Sequence, residues 1–273
     1  MGKMQDIINN TKKPHTISTI AADCSQLGVC SGDIVLVHAS LSQLGYVAGG
    51  AEAVVRALLQ AVGDMGTLVM PAHTMINSNP EDWENPPVPE AWHACLMNEL
   101  PAFDPKTTPS CMMGAIAEVF RTFPGTMRSH HPHTSFCANG RQAAPITQNH
   151  VLTPQFGMDT PLGELYLRKV KVLLLGVTYN KCTCFHMSET LSDVLPMEKI
   201  GAAVKRDGIR EWVWFNDIDW DTDDFIAIGK DFEHTHSVTH GTIGNAACAL
   251  FDLHAAVDFG KDWIVQHRTS AKA

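Results

Sequence analysis

The stretch VKVLLLGVTYNKCTCFHMSETL, residues Val170–Leu191, carries most of the information about the fold. Its apolar run, Val172–Val177, predicts a strand buried on both faces of a sheet. His186 and Glu189 follow after a short loop, and residues three apart share one face of a helix. Ligand sites in open α/β sheets lie just outside the carboxyl ends of such strands. The stretch therefore predicts an imidazole–carboxylate pair where a substrate binds; the alternative is two polar groups on an ordinary surface helix.

The composition is typical of a single large domain. The chain has 273 residues, of which 45% are hydrophobic and 18% charged, enough for a substantial core. No apolar run is long enough to span a membrane, and the N-terminus resembles no secretory signal. The eight cysteines have no regular spacing, which favours reduced thiols. These features predict a cytoplasmic protein with no membrane partner.

The charge balance narrows the choice of ligands. The formal net charge is −9 and the isoelectric point is about 5.8. A nucleic-acid partner is not expected, because phosphate binding needs basic clusters that the sequence lacks. An acidic surface instead favours a cationic ligand by electrostatic focusing, although acidity also serves solubility alone.

Strand-like and helix-like segments alternate through the first two-thirds of the chain. This order predicts a layered α/β/α fold with a mixed, largely parallel central sheet, followed by a smaller C-terminal lobe of a β-hairpin and helices. The predicted strands are Asp33–Ala39, Thr67–Met70 (stopped by Pro71), Ser135–Ala138 and Val170–Val177; the predicted helices are Thr16–Leu27, Ala51–Val62 and Met113–Phe123.

Three further segments depart from this alternation. Met75–Pro109 is rich in Pro, Asn and Trp, which predicts an ordered excursion packed over another part of the protein. Lys199–Phe215 has a turn-like Arg-Asp-Gly between two alternating runs and predicts a hairpin. Asn216–Asp224 (NDIDWDTDD) is either a binding surface for a polyamine or a solvated loop that caps the next helix.

Several loops contain residues suited to anions or metals. Three segments are candidate loop-to-helix junctions: Val37–Ser42, Thr107–Gly114 and His240–Asn245. Their backbone N–H groups could bind a phosphate or a thioester, or the segments could act only as caps and turns. Cys182-x-Cys184-x-His186 and the cluster around His131 contain metal-ligand types, but their spacing differs from that of structural zinc sites. No metal site is predicted.

Together these motifs resemble the aminoglycoside 3-N-acetyltransferase family, the antibiotic acetyltransferases that do not have the GNAT fold. The resemblance covers nearly the whole chain, with the motifs in the expected order. They are VLVHASLSQLG (Val35–Gly45), GTLVMP (Gly66–Pro71), NPPVPEAW, PAFDPKTTPS, MGAIAEVFR, RSHHPHTSFCANG (Arg128–Gly140), TPLGELY (Thr160–Tyr166), VLLLGV and HMSE.

The resemblance implies roles for particular residues. His186 and Glu189 match the catalytic His-x-x-Glu motif. Acetyl-CoA is expected against the residues that match the family's two binding loops. These are His38, Ser40, Leu41, Thr108, Ser110, Met113 and Gly114, with Arg128 and Ser129 beside them. The antibiotic is expected under the proline-rich loop and against the acidic stretch, which implicates Trp83, Asp217 and Asp219.

The family pattern also suggests how the chain is organised. Residues 1–195 would form mainly the acetyl-CoA-binding core of a single domain covering residues 1–273. Residues 196–273 would contribute a hairpin and helices to the substrate pocket. A homodimer is one assembly to be tested.

Two departures from the family pattern fall near the expected pocket. The family usually has Asn-Thr-Ser where this chain has Cys182-Thr183-Cys184, and it often has Trp where this chain has Ala72-His73. Substrate identity therefore follows less directly from the resemblance than the type of reaction does.

The implied reaction is acetyl transfer to the 3-amino group of a 2-deoxystreptamine aminoglycoside. His186 would act as general base on the amine, Glu189 would orient its ring, and the amine would attack the thioester directly. The alternatives are an acyltransferase for another amine, a non-catalytic CoA-binding or ligand-binding relative, and a metal-dependent hydrolase built on the histidine clusters.

Overall fold

The computed structural model describes residues 2–268, with side chains from Met4 onward. In chain order, the helices are α1 (Gly2–Asn9), α2 (Ile17–Leu27), α3 (Gly50–Val62), α4 (His93–Glu99), α5 (Gly114–Arg121), α6 (Ala143–Thr147), α7 (Pro161–Tyr166), α8 (Cys184–Ser192), α9 (Phe225–Thr235) and α10 (Leu253–Arg268). The strands are β1 (Ile34–Ala39), β2 (Thr67–Pro71), β3 (Met127–Arg128), β4 (Phe136–Gly140), β5 (Val170–Leu175), β6 (Met197–Arg206), β7 (Ile209–Ile218), β8 (Thr239–Ile243) and β9 (Ala246–Asp252). No helix in this part of the chain is long and apolar enough to cross a membrane.

A seven-stranded sheet in the order β3-β4-β2-β1-β5-β9-β8 forms the centre of the molecule. Strands β2, β1 and β5 are parallel, because helical segments connect them, whereas the flanking strands pair antiparallel. The predicted mixed sheet is confirmed. The expectation that it is largely parallel holds only for the three central strands.

Helices cover both faces of this sheet, as the layered α/β/α prediction requires. Val35 and Val37 of β1 face α2, α3 and α5, while Leu36 faces the opposite layer of α6 to α10. Strand β5 is buried almost throughout, which confirms the reading of its apolar run. The buried strands β1 and β5 therefore give the site a rigid base.

The predicted hairpin forms a second, two-stranded sheet of β6 and β7. Its turn places Asp207 at φ 50° and Gly208 at φ 81°, the left-handed pair that a tight hairpin needs. The excursion Met75–Pro109 packs on this hairpin, since the N–H of Phe103 donates to Ala203 O at 2.9 Å and the N–H of Ala203 donates to Asn77 O at 3.2 Å. The expectation that the excursion is ordered and packs over another element is confirmed.

The C-terminal lobe contains more than the predicted hairpin and helices. After α9, the chain forms β8 and β9, which extend the central sheet from the edge of β5. His240–Asn245 is therefore the end of one strand and a tight turn at Gly244 (φ 58°), and the expected approach to a helix is wrong. Strand β7 continues to Ile218, so the first three residues of the acidic stretch belong to a strand.

Gly176 is the residue that turns the chain out of β5 toward the site. Its φ is +67°, and a Cβ there would lie 2.6 Å from Cβ of Gln43. Both the backbone conformation and the close approach require glycine.

Replacing Gly176 by alanine should lower the free energy of unfolding more than the same change at Gly32. Gly32 also has positive φ (+94°) but nothing within 4 Å of a Cβ, so it isolates the backbone contribution. Urea titration should show an additional loss of about 1–3 kcal/mol for Gly176→Ala, because of overpacking against Gln43. Equal losses for the two variants would contradict this account.

Candidate active site

Strand β5 and helix α8 place His186 and Glu189 as the sequence predicts. The chain leaves β5 at Gly176, passes a short 3₁₀ turn at Tyr179–Lys181, and enters α8 at Cys184. His186 Nδ1 and Glu189 Oε2 are 2.6 Å apart. Because a carboxylate only accepts, Nδ1 is the donor in this bond, and Nε2 is the ring nitrogen left free of Glu189. The pairing predicted from the three-residue spacing is confirmed.

Glu189 is completely buried, so its charge needs partners inside the protein. Its Oε1 accepts from Arg268 Nη1 at 2.6 Å and from the N–H of Asp221 at 3.1 Å. Arg268 also forms a two-pronged ion pair with Asp224 at 2.8 and 2.6 Å. Burial alone would lower the pKa of Arg268, but the bonds to Asp224 and Glu189 outweigh burial and raise it above its usual value. Arg268 was missed in the sequence because it lies far from Glu189 along the chain.

Aromatic side chains hold the His186 ring from three sides. Phe156 stacks on it at 4.8 Å between centroids with 17° between planes. Trp220 meets it edge-on at 5.3 Å, and Phe225 contacts it at 4.9 Å. The ring is therefore fixed in orientation and only 15% exposed.

His186 lines a cleft of about 480 Å³ at the carboxyl ends of β1, β2 and β5, hereafter the strand-end cleft. The cleft brings together five of the residues predicted to bind acetyl-CoA. These are His38, Ser40, Leu41, Met113 and Gly114. Ser42 and Lys181 also line it, and they add a hydroxyl and a cation.

The other four residues predicted to bind acetyl-CoA are engaged in the loops around the cleft. Thr108 accepts from the N–H of Asp104, and its carbonyl accepts from Arg128. Ser110 bonds Glu118 through both its N–H and its hydroxyl. Ser129 is fully buried; its Oγ accepts from the N–H of Phe136 and pairs with His150 Nδ1. The structure gives these residues a part in holding the loops; their contact with acetyl-CoA stays a prediction.

Two buried histidines of the cleft are neutral. Burial, with a smaller effect of His186, lowers the pKa of His38 to about 3. Burial also lowers the pKa of His73 well below its usual value. Of the three histidines that line the cleft, His186 is thus the one whose ring is paired with a carboxylate, the arrangement expected of a base.

The departures from the family pattern lie on the strand-end cleft. Cys182 and His73 both line it, and the sulfurs of Cys182 and Cys184 are 3.2 Å apart. Burial, with the neighbouring Cys182, raises the pKa of the Cys184 thiol well above its usual value, so this thiol is a poor nucleophile.

A second pocket, hereafter the acidic pocket, has a volume of about 570 Å³ and lies under the excursion. It carries three carboxylates, Asp82, Glu84 and Glu198, that the sequence analysis did not single out. Burial and the nearby Asp219, Asp82 and Asp217 raise the pKa of Glu198. The exposed Met112 (φ 59°) lines both this pocket and the strand-end cleft, so the two spaces meet there.

The three residues predicted to bind substrate have different positions. Trp83 lines the acidic pocket, with its Nε1 donating to Ser78 Oγ at 2.9 Å. Asp219 is exposed beside Glu198. The expectation of direct contact with substrate is wrong for Asp217, which is fully buried and accepts from the N–H groups of Gln155 and Ile218 at 2.9 and 2.7 Å. Asp217 continues the inward-facing alternation of Val213 and Phe215, a signal that was present in the sequence.

The histidine cluster is part of the protein's internal hydrogen bonding. His131 Nε2 donates to Leu152 O at 3.1 Å, and its Nδ1 accepts from the N–H groups of His133 and Thr134. His150 Nε2 donates to Gln155 O at 3.0 Å. Within residues 2–268, no three His, Cys, Asp or Glu side chains are grouped so that they could hold a metal ion.

Comparison with known proteins agrees with this geometry. The model of a family described as aminoglycoside 3-N-acetyltransferase matches residues 36–265. The chain belongs to this family. It is 40% identical over 268 residues, 97% of each chain, to the SPbeta prophage-derived aminoglycoside N(3')-acetyltransferase-like protein YokD of Bacillus subtilis (strain 168).

Solved structures of the family have the same fold. The crystal structure of YokD superposes with a TM-score of 0.96 and 38% identity, covering 97% of this chain and 98% of that one. AAC-IIIb in its binary complex with CoASH superposes with a TM-score of 0.83 and 29% identity, covering 93% of this chain and 97% of that one. AAC-VIa bound to sisomicin superposes with a TM-score of 0.83 and 29% identity, covering 92% of this chain and 98% of that one.

Replacing Arg268 by methionine should destabilise the protein by about 3–5 kcal/mol, because Glu189 and Asp224 lose a buried cation. Urea unfolding would measure the loss. The control is Arg56→Met, which removes an exposed arginine paired with Glu52 and should cost at most about 1 kcal/mol. An equal loss of stability in both variants would show that the ion pairs of Arg268 with Glu189 and Asp224 contribute no more than an exposed pair does.

Proposed function

We propose that this protein transfers the acetyl group of acetyl-CoA to the 3-amino group of a 2-deoxystreptamine aminoglycoside, with His186 as general base. The observation that carries the proposal is the position of the His186–Glu189 pair. His186 lines the strand-end cleft, and its ring touches Trp220, which lines the acidic pocket. A base at the junction of two pockets is suited to a reaction between two substrates.

The strand-end cleft suits an acyl thioester. Apolar side chains of the strand ends suit the acyl and pantetheine parts, while Ser40, Ser42 and the exposed Lys181 offer hydroxyls and a cation to the phosphates. Helix α5 begins at Gly114 on the same cleft and adds the positive end of its dipole. The family member AAC-IIIb forms a binary complex with CoASH, which supports acetyl-CoA as the donor.

The acidic pocket suits a polycationic amine. Asp82, Glu84 and Glu198 place three carboxylates around it, and Trp83 forms a flat apolar wall. The carboxylates attract ammonium groups, and Asp219 adds charge nearby. AAC-VIa is a family member bound to sisomicin, and this supports an aminoglycoside as the acceptor.

The chemistry follows from the position of His186. An ammonium group has no lone pair, so the amine reacts as its neutral form after one proton has passed to solvent. As the amine nitrogen attacks the thioester carbonyl, it becomes positively charged, and His186 Nε2 takes the second proton from it. The tetrahedral intermediate collapses to the amide as the carbon–sulfur bond breaks, and the proton held by His186 passes to the sulfur of the leaving CoA. Glu189 stabilises the imidazolium formed in between, and Arg268 holds the Glu189 carboxylate in place by donating to its other oxygen.

A covalent acyl-enzyme is not part of the proposal. Cys184 is fully buried with a raised pKa, and Cys182 is fully buried beside it. A binder without chemistry would not need a buried carboxylate behind a histidine. Transfer to another amine is the remaining alternative, and the departures at Cys182 and His73 bear on the strand-end cleft rather than on the acidic pocket.

His186→Ala should lower the rate of acetyl transfer from acetyl-CoA to sisomicin by about 10²–10⁴-fold, because the general base is lost. Product formation is measured by mass spectrometry and CoA binding by calorimetry, which should show little change. The control is His254→Ala, which removes an exposed imidazole paired with Asp258 outside both pockets. Turnover of the His186 variant at the rate of the control would remove His186 from the mechanism.

Glu198→Gln should raise the KM for sisomicin by about 10-fold or more at low salt and leave the KM for acetyl-CoA unchanged, since a charge-assisted bond contributes about 1.5–3 kcal/mol. Added salt should weaken sisomicin more in the wild type than in the variant. The pKa of Glu198 is raised. As the pH falls, Glu198 therefore loses its charge at a higher pH than an ordinary glutamate does, and the affinity for cations is lost with it. The control is Glu52→Gln, which removes the same charge on the surface away from the acidic pocket. An equal rise in the KM for sisomicin in this variant would show that Glu198 does not contact the substrate.

A further inference from the structure

Three side chains that line the acidic pocket have a buried polar atom without a partner among residues 2–268. They are Nε2 of His133, Oε1 of Gln155 and Nε1 of Trp220. His133 and Gln155 are each only 3% exposed. A buried polar atom without a hydrogen bond costs about 1–3 kcal/mol. Three such atoms on the wall of one pocket indicate groups that find their partners on a bound molecule.

The side chain of Gln155 is held in one orientation by Asp217. The backbone N–H of Gln155 donates to Asp217 Oδ2 at 2.9 Å, and the Gln155 side chain also hydrogen-bonds this carboxylate. Burial raises the pKa of Asp217, and these hydrogen bonds offset part of the rise. A carboxylate only accepts, so the amide NH₂ of Gln155 is the group that donates. Oε1 is therefore the free end, and it is an acceptor. Asp217 thus acts on the pocket through Gln155.

The ring of His133 is equally fixed. Its backbone N–H donates to His131 Nδ1 at 3.1 Å, its carbonyl accepts from the N–H of Thr74 at 2.7 Å, and its ring packs on Phe215 at 5.9 Å between centroids. Burial lowers its pKa to about 4, so the ring is neutral with one N–H. The Gly201 backbone lies close to this ring and partly offsets the effect of burial on its pKa. Nε2 is buried without a hydrogen-bond partner among residues 2–268 and is therefore available to a bound molecule.

The unpaired atoms include both an acceptor and a donor, and this combination suits a hydroxyl. Gln155 Oε1 only accepts, Trp220 Nε1 only donates, and the neutral His133 ring can do either. An ammonium group has no lone pair to accept from Trp220, but a hydroxyl both donates and accepts. Phe156 follows Gln155 in the chain and packs on Trp220 at 4.9 Å between ring centroids, so Gln155 and Trp220 are linked through Phe156. The ammonium groups are left to Asp82, Glu84 and Glu198.

We propose that Gln155 and His133, with Trp220, form a hydroxyl-recognition site in the acidic pocket, by which the protein distinguishes an aminoglycoside from an analogue that lacks one hydroxyl. This proposal rests on the proposed function. It assigns specificity to residues outside the acidic cluster and gives Asp217 a positioning role.

Calorimetric titration of the CoA-loaded protein with sisomicin, and with derivatives in which a single hydroxyl is replaced by hydrogen, tests the proposal. The wild type should bind one of these derivatives about 10–100-fold more weakly than sisomicin, because buried partners are left unpaired. Gln155→Met removes the amide at nearly constant length and should bind the two compounds about equally.

Two further variants separate recognition of the hydroxyl from charge and from folding. Asp217→Asn can donate to Gln155 Oε1 and turn the amide round, so it should lose the discrimination although every pocket side chain is retained. Glu198→Gln should weaken both compounds alike and keep the discrimination.

Two results overturn the hydroxyl site alone while the proposed function stands. In one, the wild type acetylates sisomicin but binds every deoxy derivative as tightly; in the other, Gln155→Met and Asp217→Asn discriminate as the wild type does. A protein that binds no sisomicin overturns both proposals.

Discussion

The buried carboxylate of Glu189 is the constraint on which the site depends. It is inaccessible to water and receives hydrogen bonds from His186, Arg268 and the backbone of Asp221. Each partner comes from a different part of the chain: His186 from α8, Arg268 from the end of α10, and Asp221 from the segment after the hairpin. One charge therefore fixes the tautomer of a histidine and ties α8, α10 and the acidic stretch together.

The same arrangement places His186 between two different pockets. The strand-end cleft is built from the ends of buried strands, which are rigid and apolar, and it suits a thioester. The excursion and the hairpin supply the carboxylates of the acidic pocket, and His133, Gln155 and Trp220 add uncharged polar groups from other segments, so the pocket suits a hydroxylated cation. His186 lies on the first pocket and touches Trp220 of the second, so the proposed base lies between the sites proposed for the thioester and for the amine.

The sequence predicted the parts of this site that depend on local spacing. The apolar run before Gly176 and the three-residue spacing of His186 and Glu189 are properties of one strand and one helix, and both were predicted correctly. Arg268 and Gln155 could not be found this way, because their partners lie on distant elements. The prediction of helices after the acidic stretch is wrong for β8 and β9, because their place in the sheet depends on pairing with β5, which is distant in the chain. Asp217 is implied as a substrate contact by the family resemblance, which does not include the alternation that turns its side chain inward.

The tautomer of His186 is the most direct test of this account. Nitrogen-15 NMR of protein labelled at histidine, with the signal assigned by its loss in His186→Ala, reports which ring nitrogen carries the proton. The account predicts a neutral ring protonated at Nδ1, with Nε2 unprotonated and available as the base. A ring protonated at Nε2 in the folded protein would contradict it, because Glu189 would then not be orienting a base.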